Sequence, residues 1–261
     1  MADDLFSVAD QVVVISGASR GIGKSLAAGF AARDAQVVIT GREAETLEQT
    51  AKEISTGKHA VRSVVCDVSD VSALEQLVTT LKADFKRIDT LLNVAGVNKR
   101  KKVETFTPDE YDFILDINLR GTFFMSQAIG KWMIAERHGS IITIDSLNTY
   151  APLKGVLPYA MSKAGVSMMT RGMACEWGEY GVRVNALAPG FILTDMTNKL
   201  WSDPTMQAWG KTNTALSRLG QVEDMLGTAI FLASKASAFM TGQVVYVDGG
   251  FSSGINWPIP L

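Results

Sequence analysis

Along the chain, short runs of β-branched and aliphatic residues alternate with longer stretches whose apolar positions recur every three or four residues. The short runs predict strands over 11–16, 35–40, 60–66, 88–93, 140–145, 182–188 and 243–247. They are nearly all apolar rather than alternating, the pattern of strands covered on both faces. The longer stretches predict helices over 21–33, 43–55, 71–85, 108–136, 158–180 and 223–233. Strand–helix–strand repeats with right-handed crossovers build a doubly wound parallel sheet. The expected fold is therefore α/β, seven parallel strands in a single domain spanning 1–261. Ligands of such sheets bind beyond the carboxyl ends of the strands, where the winding reverses.

The widest break in this alternation is 190–219, which carries Phe191, Met196, Trp201 and Trp209 between Pro189 and the last helix. An insertion there overhangs the ligand end of the sheet, so it is the expected substrate lid. The plainer alternative is a surface excursion whose tryptophans pack for stability.

Composition narrows the possibilities further. Of 261 residues, 47% are hydrophobic and 20% charged, enough for a sizeable core and unlike a disordered chain. The formal net charge of −2 gives no basis for nucleic-acid binding. Cys66 and Cys175 are read as separate thiols. His59 and His138 are too few and too scattered for a metal site, so no metal is expected. The acidic start Met1-Ala2-Asp3-Asp4 is not a secretory signal, and no run of 18 apolar residues could span a membrane. A cytoplasmic protein acting on a small molecule is expected.

After the first strand comes Gly17-Ala18-Ser19-Arg20-Gly21-Ile22-Gly23, opening the first helix. Glycine lets backbone approach a pyrophosphate, and the helix N-terminus offers free N–H groups to the anion. The second strand ends at Gly41-Arg42, where a carboxylate would favour NAD(H). Arg42 and Arg20 instead suit a 2′-phosphate by charge-assisted bonds, so NADP(H) is preferred. Glu43 and Glu45 are read as the acidic start of the next helix. Two further strand ends belong to the same expected site. Asp67-Val68 could receive the adenine amino group, although Asp67 could equally cap the next helix. Asn93-Val94-Ala95-Gly96 offers small residues beside the cofactor.

Tyr159 and Lys163 lie four apart after Pro158 and so share one helix face. An ammonium beside a phenol favours the phenolate and lowers its pKa, which suits general acid–base catalysis. Ser146 follows the fifth strand, where its hydroxyl could polarise a substrate carbonyl. Asn118 sits in the long helix before that strand, where its amide could bind a water linking Lys163 to solvent.

Together, the glycine turn, Asn93-Val94-Ala95-Gly96, Asn118, Ser146, Tyr159-x-x-x-Lys163, Pro189-Gly190 with Thr194, and Asp248-Gly249-Gly250 resemble the short-chain dehydrogenases/reductases. The resemblance implies a Rossmann-like fold and an Asn118–Ser146–Tyr159–Lys163 tetrad. It also implies that Lys163 binds the nicotinamide ribose and that Pro189, Gly190, Ile192 and Thr194 line the nicotinamide end. Homotetramers, or homodimers, built through the two long helices and the C-terminal strand are implied too. Three positions depart from the common pattern: Ser16, Val94 and Asp145. Asp145 leaves a carboxylate beside the site that either shifts local pKa values or caps the strand end.

For substrate, 95–102 and 188–219 are similar to gluconate 5-dehydrogenases and to 3-oxoacyl-acyl-carrier-protein reductases. The cations Lys99, Arg100, Lys101 and Lys102 could attract a carboxylate or a phosphopantetheine, or form a solvated turn. The expected reaction is NADPH-linked reduction of a keto-sugar acid, ketose or polyol-derived ketone, with Asn148, Phe191, Met196, Trp201 and Trp209 around the substrate. The alternatives are 3-oxoacyl-carrier-protein reduction and a catalytically silent NADP(H)-binding regulator. Sugar-nucleotide epimerisation on the same fold fits less well, because its glycine turn is spaced differently. The apolar tail 251–261 is expected to reach a neighbouring subunit.

Overall fold

A computed structural model describes residues 4–254. The expectation placed on the tail therefore lies mostly outside the described residues. The strands are β1 Val12–Ser16, β2 Gln36–Gly41, β3 Arg62–Val65, β4 Thr90–Asn93, β5 Gly139–Ile144, β6 Val182–Pro189 and β7 Val244–Val247. They form one parallel sheet in the order β3-β2-β1-β4-β5-β6-β7. The sheet is doubly wound, as the strand–helix alternation predicts, and the winding reverses between β1 and β4.

The helices are α1 Gly21–Ala31, α2 Ala44–Ile54, α3 Val71–Asp84, α4 Pro108–Leu115, α5 Thr122–Glu136, α6 Leu157–Trp177, α7 Asn198–Trp201, α8 Pro204–Thr212 and α9 Leu226–Ala233. The helix predicted over 108–136 is interrupted. Asp116–Gly121 forms a π-helical turn between α4 and α5, with Asn118 inside it. Such turns are frequent at functional sites, because they rotate one residue out of the helical register. Thr107 and Glu110 close a capping box at the start of α4.

The apolar strands are buried as their pattern requires. Ile15, Ile39, Leu92 and Ile142 face one helical layer, and Val14, Val38, Leu91 and Ile141 face the other. Truncating any of these leucines or isoleucines to Ala would cost about 2–5 kcal/mol. The two edge strands are the exceptions, with Val65 of β3 exposed and all of β7 only half-buried. Register brings the carboxyl ends level: Thr40 pairs with Ser16, Ser16 with Asn93 and Asn93 with Thr143. This level edge is the floor of the cleft described below.

Segment 190–219 has a small core of its own, as the plainer reading of its tryptophans anticipated. Phe191, Trp201 and Leu219 are buried with Leu147. Phe191 meets the rings of Trp201, Trp209 and Phe251 at 5.3, 5.4 and 4.9 Å. A bridge between Ile192 and Gly220 closes the base of the segment. Among the described residues no group of three potential metal ligands occurs, and no helix is long and apolar enough to cross a membrane. Cys66 is buried and Cys175 exposed, and both are free thiols.

Candidate active site

A cleft runs along the carboxyl edge of the sheet, from the glycine turn at one end to Tyr159 at the other. At the first end, Gly17 has φ +67° and lies so close to the β4 end that a Cβ would stand 2.6 Å from Ala95. Gly21 has φ +56°, a conformation side chains rarely adopt, and a Cβ there would stand in ordinary contact with Thr194, 3.9 Å away. The first turn of α1 has no side-chain cap and no acidic residue, so its N–H groups face the cleft free. That arrangement fits the phosphates of a dinucleotide.

Ser19, Ile22 and Gly23 complete this turn, and Arg20 and Arg42 flank it. Both arginines are exposed, and neither enters an ion pair among the described residues. Glu43 precedes α2, and Glu45 lies in its first turn, as their acidity predicts. Asp67 and Val68 line the cleft beyond β3. Asp67 folds onto Ser69 through its amide and hydroxyl at 2.9 and 2.7 Å, while Asp70 caps α3. Capping of α3 therefore falls to Asp70 rather than Asp67.

At the other end, α6 presents Tyr159 and Lys163 to the same cleft, and the end of β5 presents Ser146. Lys163 is buried, and its ammonium donates to the Ile144 carbonyl at 2.6 Å. It lies 5.6 Å from the Tyr159 ring centroid. Burial lowers the Lys163 pKa to about 8, against the pull of Asp145. The phenol moves opposite to expectation. Burial raises Tyr159 to about 12, Asp145 adds to the rise, and only a hydrogen bond from Ser146 opposes it. The ammonium turned toward Ile144 is not the dominant influence on the phenol, so Tyr159 is protonated at neutral pH.

Asp145, only 1% exposed, accepts from Thr149 at 2.6 Å on one oxygen, and its other oxygen has no partner. Burial raises its carboxyl to about 6, against Thr149, Lys163, the Ser146 amide and Arg171. Of the two roles open to it, the shifting of local charge is the one this environment produces.

Residues 17–252 match the family described as enoyl-(acyl carrier protein) reductase. The chain is 38% identical to gluconate 5-dehydrogenase of Gluconobacter oxydans over 95% of this chain and 97% of that one. It is 37% identical to 3-oxoacyl-[acyl-carrier-protein] reductase of Synechocystis, over 92% and 96% of the two chains. The crystal structure of gluconate 5-dehydrogenase from Burkholderia cenocepacia in complex with NADP and tartrate superposes with a TM-score of 0.94 at 36% identity, covering 98% of this chain and 100% of that one. The chain belongs to the short-chain dehydrogenases/reductases. It is an oxidoreductase acting between alcohol and ketone with a nicotinamide cofactor.

In this short-chain dehydrogenase/reductase most of the expected cofactor residues line one cleft, including Ala95, Gly96, Pro189, Gly190, Ile192 and Thr194. Asn93 does not. It is buried behind the wall, donating to Ser126 at 2.9 Å and Thr143 at 3.4 Å, because its strand position points it at α5. Asn118 is close to the site but differently employed. Its Oδ1 accepts from the Val97 amide at 2.8 Å, and its Nδ2 donates to the Val97 carbonyl at 2.9 Å and to Ser162 at 3.1 Å. The side-chain amide therefore holds the loop after β4 with both of its N–H groups and one lone pair of Oδ1, and the second lone pair is the capacity it has for the expected water.

The expected substrate residues divide similarly. Met196 lines the cleft. Phe191 and Trp201 turn inward to bury their rings, and Trp209 packs on Phe191 with one face exposed. Asn148 is buried against Ser146. Ser162, which no motif singles out, is fully buried and joins Asn118 to the Tyr159 carbonyl, which accepts from its hydroxyl at 2.7 Å. Its place inside Tyr159-x-x-Ser162-Lys163 was the only signal available.

Proposed function

We propose that this enzyme reduces the ketone of a keto-sugar acid, ketose or polyol-derived ketone with NADPH, using Tyr159 as general acid. The observation that carries the reading is a half-buried, protonated phenol beside Ser146, in the same cleft as the uncapped start of α1. When bound, the nicotinamide supplies hydride to the carbonyl carbon. Ser146 donates to the carbonyl oxygen, and Tyr159 releases its proton to that oxygen as negative charge develops. Lys163 supplies positive charge for the phenolate left behind and binds the nicotinamide ribose. Pro189, Gly190, Ile192 and Thr194 line the nicotinamide end.

NADP(H) is favoured over NAD(H) by two unpaired guanidinium groups and by the absence of a carboxylate at 41–42. A relative of known structure binds NADP. Arg42→Ala should weaken NADPH binding about 10- to 100-fold, the loss of one or two charge-assisted bonds, and leave NADH nearly unchanged. Equal losses would remove the 2′-phosphate assignment.

The sugar-acid reading draws on the gluconate 5-dehydrogenase relatives and on the basic turn. Lys99 and Lys101 are engaged by Glu110 at 3.5 and 2.7 Å, whereas Arg100 and Lys102 carry no ion pair among the described residues. The runner-up, an acyl-carrier-protein ketone, draws on the second relative. Apolar side chains exposed on α4 to α6, among them Phe113, Phe123, Met161 and Met168, favour a homotetramer or homodimer. The deciding experiment is NADPH consumption with 5-keto-D-gluconate, neutral ketoses and an acetoacetyl thioester. The keto-acid should give the highest kcat/KM. A faster thioester would shift the reading to the runner-up, and tight NADPH binding with no turnover would make the protein a silent binder.

A further inference from the structure

We propose that Asn148 is a positioning residue that fixes the direction of the Ser146 hydroxyl proton. The proposal rests on the reaction assigned above, in which Ser146 must act as a donor. Ser146 begins the short 3-10 turn Leu147–Thr149 in extended conformation. Its Oγ accepts from the Asn148 backbone N–H at 3.1 Å and from the Asn148 side-chain Nδ2 at 3.1 Å. A serine oxygen has two lone pairs and one hydrogen. Both lone pairs are thus occupied by groups that can only donate.

The amide cannot be turned the other way. Its Oδ1 accepts from the Leu153 backbone N–H at 2.9 Å, which also can only donate. A flipped amide would set donor against donor there and would leave its oxygen facing Oγ. Asn148 is 9% exposed and Ser146 6%, so little water competes for either group. The hydroxyl proton is left a single direction, away from Asn148 and toward the phenol. The lowering influence of the Ser146 side chain on the Tyr159 pKa agrees with this. A substrate carbonyl arriving between the two meets a donor already aimed, with no rotation left to perform during the reaction.

Two substitutions separate positioning from mere support. Asn148→Asp keeps the side-chain shape and an acceptor for Leu153, but offers Ser146 an acceptor in place of a donor. The hydroxyl then turns back onto the carboxylate. Asn148→Ala removes the side chain but keeps the backbone N–H on Oγ. With 5-keto-D-gluconate, or the best ketone of the panel, kcat should fall about tenfold in Asn148→Ala. It should fall about a hundredfold in Asn148→Asp, the scale of a lost oxyanion donor. NADPH affinity, followed by fluorescence titration, should stay within about twofold in both, since neither change touches the cofactor half of the cleft. A supporting role predicts the reverse order, because Asp preserves the packing that Ala removes.

The added charge is controlled by repeating Asn148→Asp in Ser146→Ala, with single-turnover NADPH oxidation as the readout. With no hydroxyl to turn, the further loss should be under about threefold. Equal or reversed kcat order, or a full Asn148→Asp loss persisting without Ser146, overturns the positioning role. Normal turnover in Ser146→Ala overturns the assigned reaction itself, and the positioning role with it.

Discussion

Asp89 and Asp145, two of the three carboxylates buried among the described residues, lie at opposite ends of this sheet, and their surroundings have opposite effects. Asp89, just before β4 at the amino end, accepts the Val12 amide at 2.8 Å on one oxygen. On the other it meets Arg87 at 2.8 Å and His138 at 2.9 Å. Burial pushes its carboxyl up, but the His138 and Val12 bonds and the Arg87 charge outweigh burial and hold it below its ordinary value. Asp145, just after β5 at the carboxyl end, keeps an unpartnered oxygen, and burial prevails. Where the sheet needs only to hold together, buried charge is fully met. At the carboxyl end, beside Lys163 and Tyr159, the charge of Asp145 is left partly unmet. Perturbed groups gathered at one end of a fold are the physical mark of a working site.

The strongest way to break this contrast is at the catalytic end. Tyr159→Phe should reduce turnover about 10²- to 10⁴-fold with NADPH affinity unchanged. Near-normal steady-state rates in that variant would mean that the shifted groups are only structural.

Next in size is the amino end. Asp89→Ala leaves the Val12 amide without its acceptor, and should cost about 2–4 kcal/mol in chemical denaturation. Turnover per folded molecule should not change. The carboxyl pKa is depressed in the fold, so its contribution is present above the ordinary value of 3.8 and is lost as pH falls through the folded value. The gap between wild type and variant should therefore narrow in acid. A large loss of kcat in the folded variant would erase the distinction between the two ends.

The smallest effect should have the opposite sign. The Asp145 pKa is raised from 3.8 to about 6, so the native state holds its proton more tightly than the unfolded chain does. Stability from this group declines as pH rises through that window and stays lower above it. Asp145→Asn should then be more stable than wild type at pH 8 by about 1–2 kcal/mol, less than the full shift because the bonds to Thr149 and Lys163 weaken. The gain should vanish below about pH 4. Equal melting profiles at pH 8 would show Asp145 to be as well compensated as Asp89.

The sequence revealed what is local and periodic. Strand runs, the glycine turn, and the Tyr159–Lys163 spacing depend on neighbours within a turn or two, and all fall where the pattern puts them. Features that depend on distant packing were not legible. The π-helical turn that redirects Asn118 leaves no mark in the apolar spacing of 108–136. Trp201 has no sequence signal that its ring turns toward Phe191 and Leu147 rather than toward a ligand. The direction of the Tyr159 shift depends on burial and on where the Lys163 ammonium points, and i, i+4 spacing reports neither.

The Asn118 amide meets both polar groups of Val97, as a neighbouring strand would, and passes through Ser162 to the Tyr159 backbone. The loop after β4 is thereby geared to the helix that carries the phenol. Segment 190–219, with its own aromatic core, has no such gearing through Asn118. For anyone refitting this scaffold to a new ketone, the two walls of the pocket are unequal materials. The segment after β6 can be varied beyond Thr194, where it leaves the nicotinamide end, whereas the loop after β4 must be inherited together with its amide.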